Sequence, residues 1–283
     1  MVHRFIRDRD IVMFSFLPWN SDIAFNFREM AVELARYNRV LFVDRADDRN
    51  SSLRAFIKGH KKSAGKRKKI EPAQNNLWIL HPESMLESAN WSPNFRVFDF
   101  LNRINNRRLA KEIKAAMRDL GFQRSLFIND NDFFRGLYMK SLLPVEEYIF
   151  YLRDFLTVQP YFKKFGARCE METILKADVV VTNSAYLADY AGQWNPFSLN
   201  IGQGWDRKQY ADHVLPLPDD LKEISQPILG YSGAITAMRL DEDLLLHIAD
   251  SFPELNLVLV GPSDEKFSTG LLRNKKNVHS NFI

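Results

Sequence analysis

The sequence predicts an α/β protein made of two parallel-sheet domains joined by a linker. Short apolar runs alternate with amphipathic stretches through most of its 283 residues, the pattern of strands that cross to helices and back. The alternation breaks at residues 212–226, where Pro216 and Pro218 interrupt a stretch without an apolar period. We therefore assign residues 1–211 to a first domain, 212–226 to the linker and 227–283 to a second, incomplete domain.

The first domain opens with a strand–helix–strand unit. Residues Asp10 to Leu17 form a short apolar run, which predicts a buried strand. Residues Ile23 to Tyr37 carry apolar side chains at helical spacing, and Asn38 ends that helix. Residues Arg39 to Val43 predict a second strand. Such a unit starts a parallel sheet with a right-handed crossover.

The alternation then continues to the end of the first domain. Strands are predicted at Leu77–Leu80, Ser125–Ile128, Glu147–Leu152, Asp178–Thr182 and Phe197–Ile201, and helices at Phe95–Leu120, at 133–142, at Tyr161–Ala177 and from the cap Ser184 to Ala191.

The second domain repeats the pattern on a smaller scale. Its predicted elements are the strand Ile228–Ser232, the helix Leu240–Phe252, the strand Asn256–Val260, a short helix near Glu265–Leu272 and a last strand from about Asn277. These are three strands, where a doubly wound domain usually has about six.

Composition restricts the class of protein. Hydrophobic residues make up 46% and charged residues 26% of the chain, which is typical of a soluble globular enzyme. The single cysteine, Cys169, excludes an intramolecular disulfide and favours a reducing compartment. Residues Met1 to Asp10 are charged and resemble no signal peptide, and no apolar run approaches the roughly 18–20 residues of a spanning helix. These features predict a cytoplasmic protein.

The positive charge is concentrated in one segment, Lys58 to Lys69. It carries seven Lys or Arg and no acid, so the net charge of +4 would be −3 without it. A solvated loop is one interpretation. Contact with anionic lipid, which would place the protein peripherally at the inner face of the cell membrane, is another. No aromatic residue interleaves these charges, so nucleic-acid binding is not predicted.

Two turns of the second domain are candidates for binding a diphosphate. Each follows a predicted strand with small residues, which lets backbone N–H groups approach a ligand beside a helix N-terminus. Arg239, at the start of the predicted helix, could donate two hydrogen bonds to a diphosphate. The alternative is that it forms a solvated ion pair with Asp241 or Glu242. The candidate residues are Gly233, Ala234, Arg239, Gly261, Pro262 and Asp264.

A catalytic candidate lies in the first domain, just past the carboxyl end of a predicted strand. Asp154 could deprotonate a hydroxyl or stabilise a cationic transition state. Arg153 beside it would lower its pKa, which favours an ionised role, and an ion-pair aspartate is the alternative. Asn129, Asp130 and Asp132 follow another predicted strand. They can be interpreted as a polar cluster in the cleft, or as a polar turn that caps a helix. No set of metal-ligating residues accompanies them. The predicted cleft residues are Trp19, Asn129, Asp130 and Arg153.

Several segments resemble one family of sugar transferases. In the second domain these are Gly230 to Ile235 (GYSGAI), Arg239 to Asp241 (RLD), Leu259 to Pro262 (LVGP) and Asn277 to His279 (NVH). In the first they are Lys176 to Ser184 (KADVVVTNS), Ile201 to Asp206 (IGQGWD) and the loop Phe16 to Trp19 (FLPW). In this order they resemble nucleotide-sugar-dependent glycosyltransferases that build polysaccharides, of the capsule and teichuronic-acid type.

The resemblance implies a GT-B fold of two Rossmann-like domains and transfer of a sugar from a nucleotide-sugar donor to a polysaccharide or lipid-linked acceptor. The donor would bind the second domain through the six turn residues. The acceptor would bind the first domain, with Asp154 in the catalytic role. The nucleotide sugar is a substrate, and the resemblance implies neither a bound cofactor nor a metal.

The chain departs from this family in three respects. Ala234 stands where the family usually has the first of two basic donor-site residues, and no histidine matches the one that often follows a mid-domain strand. The family's two glutamates spaced eight apart are absent, since Glu242, Glu254 and Glu265 are 12 and 11 apart. The resemblance therefore predicts a C-terminally truncated chain that does not turn over nucleotide sugar. The alternatives are a non-catalytic nucleotide or sugar-phosphate binding remnant, and a peripheral membrane or nucleic-acid adaptor.

Overall fold

The structure is a computed structural model, and it describes residues 6–21, 25–49, 69–204, 216, 218–264, 267 and 270–281. The chain forms two compact units, residues 1–205 and 206–283, here called unit 1 and unit 2. Residues 58–68 of the basic segment lie outside the described residues, as do residues 205–215, which include the start of the predicted linker. Within the described part, no helix has both the length and the apolarity to span a bilayer.

Unit 1 is built on a sheet of eight strands. Its strands are β1 (Asp10–Phe14), β2 (Arg39–Val43), β3 (Ile70–Gln74), β4 (Leu77–Leu80), β5 (Ser125–Asp130), β6 (Glu147–Leu152), β7 (Val179–Thr182) and β8 (Ser198–Asn200). Their order in the sheet is β3-β4-β2-β1-β5-β6-β7-β8. Every pairing is parallel except β3 with β4. The loops after the parallel strands therefore meet at one edge of the sheet, where ligands bind in open α/β folds.

Helices cover both faces of this sheet. They are α1 (Asn26–Leu34), α2 (Phe95–Asp119), α3 (Met139–Leu142), α4 (Gly166–Lys176) and α5 (Ala185–Gly192). Successive side chains of a strand point to opposite faces. Accordingly Val12 belongs to one buried apolar cluster, together with residues of α2, and Met13 to another, together with residues of α1.

Unit 2 contains a smaller parallel sheet. Its strands β9 (Ile228–Ser232), β10 (Asn256–Val260) and β11 (Val278–Asn281) lie in the order β11-β10-β9. Its helices are α6 (Asp219–Lys222), α7 (Glu242–Ser251) and a 3-10 turn at Leu271–Asn274. The predicted α/β class, with parallel sheets in Rossmann-like units, is confirmed.

Some predicted boundaries are wrong for local physical reasons. Helix α7 begins at Glu242 and not at Leu240, because the Asp241 side chain accepts hydrogen bonds from the N–H groups of Asp243 and Leu244 and caps the helix there. Helix α4 begins at Gly166 and not at Tyr161, because residues 156–165 form a 3-10 turn and tight turns.

A carboxylate on α4 is buried in the core of unit 1 without a cationic partner among the described residues. Glu170, on α4, is fully buried, and the Tyr190 hydroxyl donates a 2.8 Å hydrogen bond to its Oε1. Its Oε2 makes no hydrogen bond to any described residue. Burial raises the pKa of Glu170 to about 7, although the Tyr190 hydrogen bond opposes the rise.

We expect Glu170→Gln to stabilise the protein at pH 8 by up to about 3 kcal/mol, since each pKa unit corresponds to about 1.4 kcal/mol. A carboxyl group whose pKa is raised by folding stabilises the protonated fold, and this stability is lost as the pH rises from the unfolded pKa towards 7. Urea unfolding at pH 5 and pH 8 measures the effect, which should nearly vanish at pH 5. The exposed Glu147→Gln is the control, and an equal gain at both pH values would contradict the prediction.

Candidate functional site

The predicted charged cluster of unit 1 assembles at the carboxyl ends of β5 and β6. Asp130 is the last residue of β5 and is fully buried, and Arg153 directly follows β6. The Arg153 Nε donates to Asp130 Oδ1 at 2.6 Å and its Nη2 to Oδ2 at 3.4 Å. Its Nη1 donates to Asp154 Oδ2 at 2.9 Å. Arg153 therefore holds a buried and an exposed carboxylate together.

Charge and burial shift the pKa values of Asp130 and Arg153 in opposite directions. Burial raises the pKa of Asp130, while the Arg153 guanidinium and the Phe16 N–H oppose the rise. Burial lowers the pKa of Arg153, but Asp130 and Asp154 raise it further, so the net direction is upward and the guanidinium stays protonated. The arginine is thus a fixed positive charge at the edge of the sheet.

Asp154 is the carboxylate of this cluster that solvent and ligands can reach. Its side chain is 52% exposed, whereas that of Asp130 is fully buried. The Asn131 side-chain amide donates to the Asp154 carbonyl at 2.9 Å, which fixes the backbone. The Asn131 Oδ1 is buried without a hydrogen-bond partner among the described residues. Asp154 therefore combines a fixed backbone with an accessible carboxylate.

Two other predicted cleft residues make contacts within unit 1. Asn129 is fully buried, and its Nδ2 donates to the Asp132 carbonyl at 3.1 Å and the Tyr148 hydroxyl at 2.8 Å. A Cβ on Gly136 would lie 2.2 Å from that Nδ2, so the turn closes tightly over Asn129. The Trp19 ring packs against Phe42 with centroids 4.9 Å apart. Asn129 therefore holds the turn after β5 in place and has no surface for a ligand, whereas Trp19 stays half-buried and partly accessible.

The Trp19 loop is held by a carboxylate that the sequence did not single out. Asp44, directly after β2, accepts a hydrogen bond from the Trp19 N–H at 2.8 Å through Oδ1. Its Oδ2 lies 3.0 Å from His81 Nδ1, and His81 Nε2 lies 3.2 Å from Glu71 Oε2. This chain of contacts ties the ends of β2 and β4 to the loop after β1.

A cavity of about 270 Å³ opens beside these loops and was not predicted. Its volume is just below the roughly 300–1,000 Å³ of small-molecule sites, so it suits a single ring. Five aromatic side chains and several amides line it, a mixture that can stack on a sugar and hydrogen-bond its hydroxyls. The aromatic residues are Phe16, Phe98, Phe134, Tyr161 and Phe162.

Two arginines flank one of these rings. The Cζ atoms of Arg45 and Arg135 lie 5.8 Å and 5.7 Å from the ring centroid of Phe16, within the range of cation–π attraction. Arg135 Nε pairs with Asp132 Oδ2 at 2.5 Å, whereas Arg45 is exposed and forms no ion pair with a described residue. Asn90, also in the lining, keeps a buried Oδ1 without a hydrogen-bond partner among the described residues. The cavity thus offers an exposed cation to a ligand, whereas the Asn90 Oδ1 is buried away from it.

The two predicted turns of unit 2 are locked against each other. Gly233 and Gly261 have φ angles of 152° and 139°, in the region that favours glycine. A Cβ on Gly261 would lie only 2.1 Å from the Gly233 carbonyl oxygen. The Ile235 N–H donates to the Pro262 carbonyl at 2.8 Å. The turns after β9 and β10 therefore form one rigid surface.

The remaining predicted residues of this surface differ in their availability. Asp264 is engaged, because its Oδ2 accepts from the Ala237 N–H at 2.9 Å and its Oδ1 from the Phe267 N–H at 3.2 Å. Ala234 makes no hydrogen bond through its N–H to a residue that the structure describes. Arg239 is exposed and, within the described ranges, forms no ion pair with Asp241 or any other carboxylate. Ala234 and Arg239 remain free to contact a ligand.

Comparison with known proteins defines the fold. No protein-family model matches the chain, and no curated protein matches its sequence. A solved α,α-trehalose-phosphate synthase (UDP-forming) from Burkholderia vietnamiensis is similar with a TM-score of 0.59 and 9% identity, over 98% of this chain and 73% of the synthase. The corresponding UDP-forming enzyme from Burkholderia xenovorans gives a TM-score of 0.51 and 11% identity, over 97% and 73%. The chain therefore has the GT-B fold of these two structures.

Proposed function

We propose that the chain is a glycosyltransferase that takes a sugar from a nucleotide-sugar donor, with unit 2 on the donor side and unit 1 on the acceptor side. The GT-B fold supports the class, and the solved structures described above are named UDP-forming. The observation that carries the proposal is the pair of locked glycine turns with Arg239 unpaired beside them. A backbone surface and a free guanidinium are what a diphosphate requires.

We expect Arg239→Ala to weaken binding of a nucleoside diphosphate by about 10- to 150-fold, because a hydrogen bond to a charged group contributes about 1.5–3 kcal/mol. Calorimetry with UDP, then ADP and GDP, measures the change. Lys276→Ala is the matched control, since Lys276 is an exposed cation just before β11, at the opposite end of the same sheet. Equal affinities for wild type and Arg239→Ala would remove Arg239 from the donor site.

We assign the acceptor to the cavity of unit 1 and the catalytic role to Asp154. The aromatic lining and the amide side chains of Asn102, Asn105 and Gln159 suit a sugar ring with hydroxyl groups. Asp154 does not line the cavity, but Arg153 connects it to Asp130, two residues before the lining residue Asp132. An ionised Asp154 would accept the proton of the acceptor hydroxyl or stabilise positive charge on the transferred sugar.

The finer features of the proposal come from the sequence. They are a polysaccharide or lipid-linked acceptor of the capsule type, action at the cytoplasmic side of a membrane, and domain limits at residues 211 and 227. Transfer assays with UDP-sugars and lipid-linked or polysaccharide acceptors test them. Nucleotide binding without transfer would favour a non-catalytic binding protein instead.

A further inference from the structure

The outer face of helix α2 carries a continuous basic stripe. Residues advance about 100° around an α-helix, so the members of the stripe fall within an arc of about 80°, and a rise of 1.5 Å per residue makes it about 33 Å long. The basic side chains are Arg96, Arg103, Arg107, Lys111, Lys114 and Arg118, and all are exposed. Phe100 lies on the same arc.

These charges are largely available to a partner. Arg103 pairs with Asp99 at 2.8 Å, at the border of the arc. The other five form no ion pair with a residue in the described part of the chain, and no acidic residue falls inside the arc. A row of unpaired cations on a rigid helix raises the local positive potential, which attracts an anionic surface.

Aromatic side chains stand exposed at one end of the stripe. The Phe100 side chain is 64% exposed, and Trp91, in the 3-10 turn just before α2, is 68% exposed. Single exposed aromatic residues are common on protein surfaces, so the argument rests on these two falling in the segment where the basic stripe begins. Tryptophan and phenylalanine beside lysine and arginine are typical of helices that lie in the interface of a bilayer.

The opposite face of the same helix faces the cavity of unit 1. Phe98, Asn102 and Asn105 line that cavity and fall about 180° away from the stripe. Asn90, next to Trp91 in the sequence, lines it as well. Helix α2 is therefore the wall between the cavity and the basic outer surface.

We propose that the outer face of α2, with Trp91 and Phe100, docks the protein on an anionic lipid bilayer. Six basic side chains complement the lipid headgroups, and the aromatic side chains enter the interface. A single-stranded nucleic acid is the weaker candidate, because its bases need aromatic residues interleaved along a groove, whereas here the surface is the convex side of a helix with its aromatic residues at one end. The experiment below distinguishes a duplex from a bilayer. The proposed surface contains no residue of the Lys58–Lys69 segment, although Lys69 Nζ lies 3.4 Å from Glu112 Oε2 on another face of α2. Its role does not depend on sugar transfer.

The test uses the full chain and two kinds of vesicle, phosphatidylcholine alone and an equal mixture of phosphatidylcholine with phosphatidylglycerol. Cosedimentation should show binding to the anionic vesicles only, weakened by salt. The triple variant Arg107→Gln, Lys111→Gln, Lys114→Gln should bind about 100-fold more weakly. The control is the triple variant Lys61→Gln, Lys62→Gln, Lys66→Gln, which removes three positive charges from the Lys58–Lys69 segment instead of from α2. It should bind anionic vesicles nearly as tightly as the wild type does.

Each other outcome overturns the proposal. Equal losses in the two triple variants would assign binding to net charge, and a loss only in the second would assign it to the basic segment. Failure to bind anionic vesicles, with binding of duplex RNA that the α2 triple variant loses, would make the face a nucleic-acid site. In a separate arm, Trp91→Ser with Phe100→Ser should weaken vesicle binding at constant charge, and unchanged binding would exclude the aromatic contribution. All substituted side chains of α2 are exposed, so unchanged thermal unfolding checks the fold of each variant.

Discussion

Replacement of Arg153 by methionine is expected to destabilise unit 1 by about 3–5 kcal/mol, because it leaves a buried carboxylate without its charge partner. Asp130 is fully buried, and Arg153 supplies both of its side-chain ion-pair contacts. Without that guanidinium, burial raises the pKa of Asp130 unopposed by its partner. The stability of the variant should therefore be greatest at acid pH, where Asp130 is protonated, and should fall as the pH rises.

Urea unfolding of wild type and variant at pH 5 and pH 8 measures both effects. The double variant Arg153→Met with Asp130→Asn removes the unpaired charge, so it should recover much of the lost stability at pH 8. A double variant as unstable as Arg153→Met alone would show that the loss comes from packing and not from charge.

In a form of the protein that transfers sugar, Asp154→Asn is expected to lower kcat by about 10²–10⁴-fold, the usual contribution of a general acid or base. Donor affinity should stay close to that of the wild type, since Asp154 belongs to unit 1 and the donor residues to unit 2. Initial rates and calorimetry with the same nucleotide separate the two quantities.

Asp189→Asn makes the same chemical change at an exposed position of α5 and serves as the control. If Asp154→Asn keeps most of the wild-type turnover, the residue has no part in the chemistry. If both variants lose activity equally, the loss reflects charge in unit 1 as a whole.

The fold was largely predictable because most of its strands are short apolar runs, and the central ones, such as β1 and β2, are buried along nearly their whole length. Strands β2, β4, β6, β9 and β10 have the predicted boundaries. Strand β3 was not predicted, because its sequence IEPAQ is mostly exposed and has only one large apolar side chain, and because Pro72 and a register shift interrupt its pairing with β4. A strand without an apolar side leaves no periodic signal.

The candidate site was predictable only where its residues follow strands. Asp130, Arg153 and Asp154 were chosen as candidates because each follows a predicted strand, and the structure brings them together because β5 and β6 are neighbours in the sheet. Their roles stay a prediction. The cavity was not found, because Asn90, Arg135 and Tyr161 come from separate loops and turns that only tertiary packing brings together. The structural hydrogen bonds of Asn129 and Asp44 were also not predicted, because a buried hydrogen bond leaves no periodic pattern in the sequence.

The contact between Gly233 and Gly261 has a consequence for how relatives of this protein can be recognised. A side chain on Gly261 would meet the backbone of Gly233 at 2.1 Å, so mutation cannot alter this position without moving two strand ends together. We therefore expect the two glycines to be retained or lost together among relatives of this protein. Even at identities near 9%, two glycines in register at the ends of adjacent strands would then help to recognise such relatives.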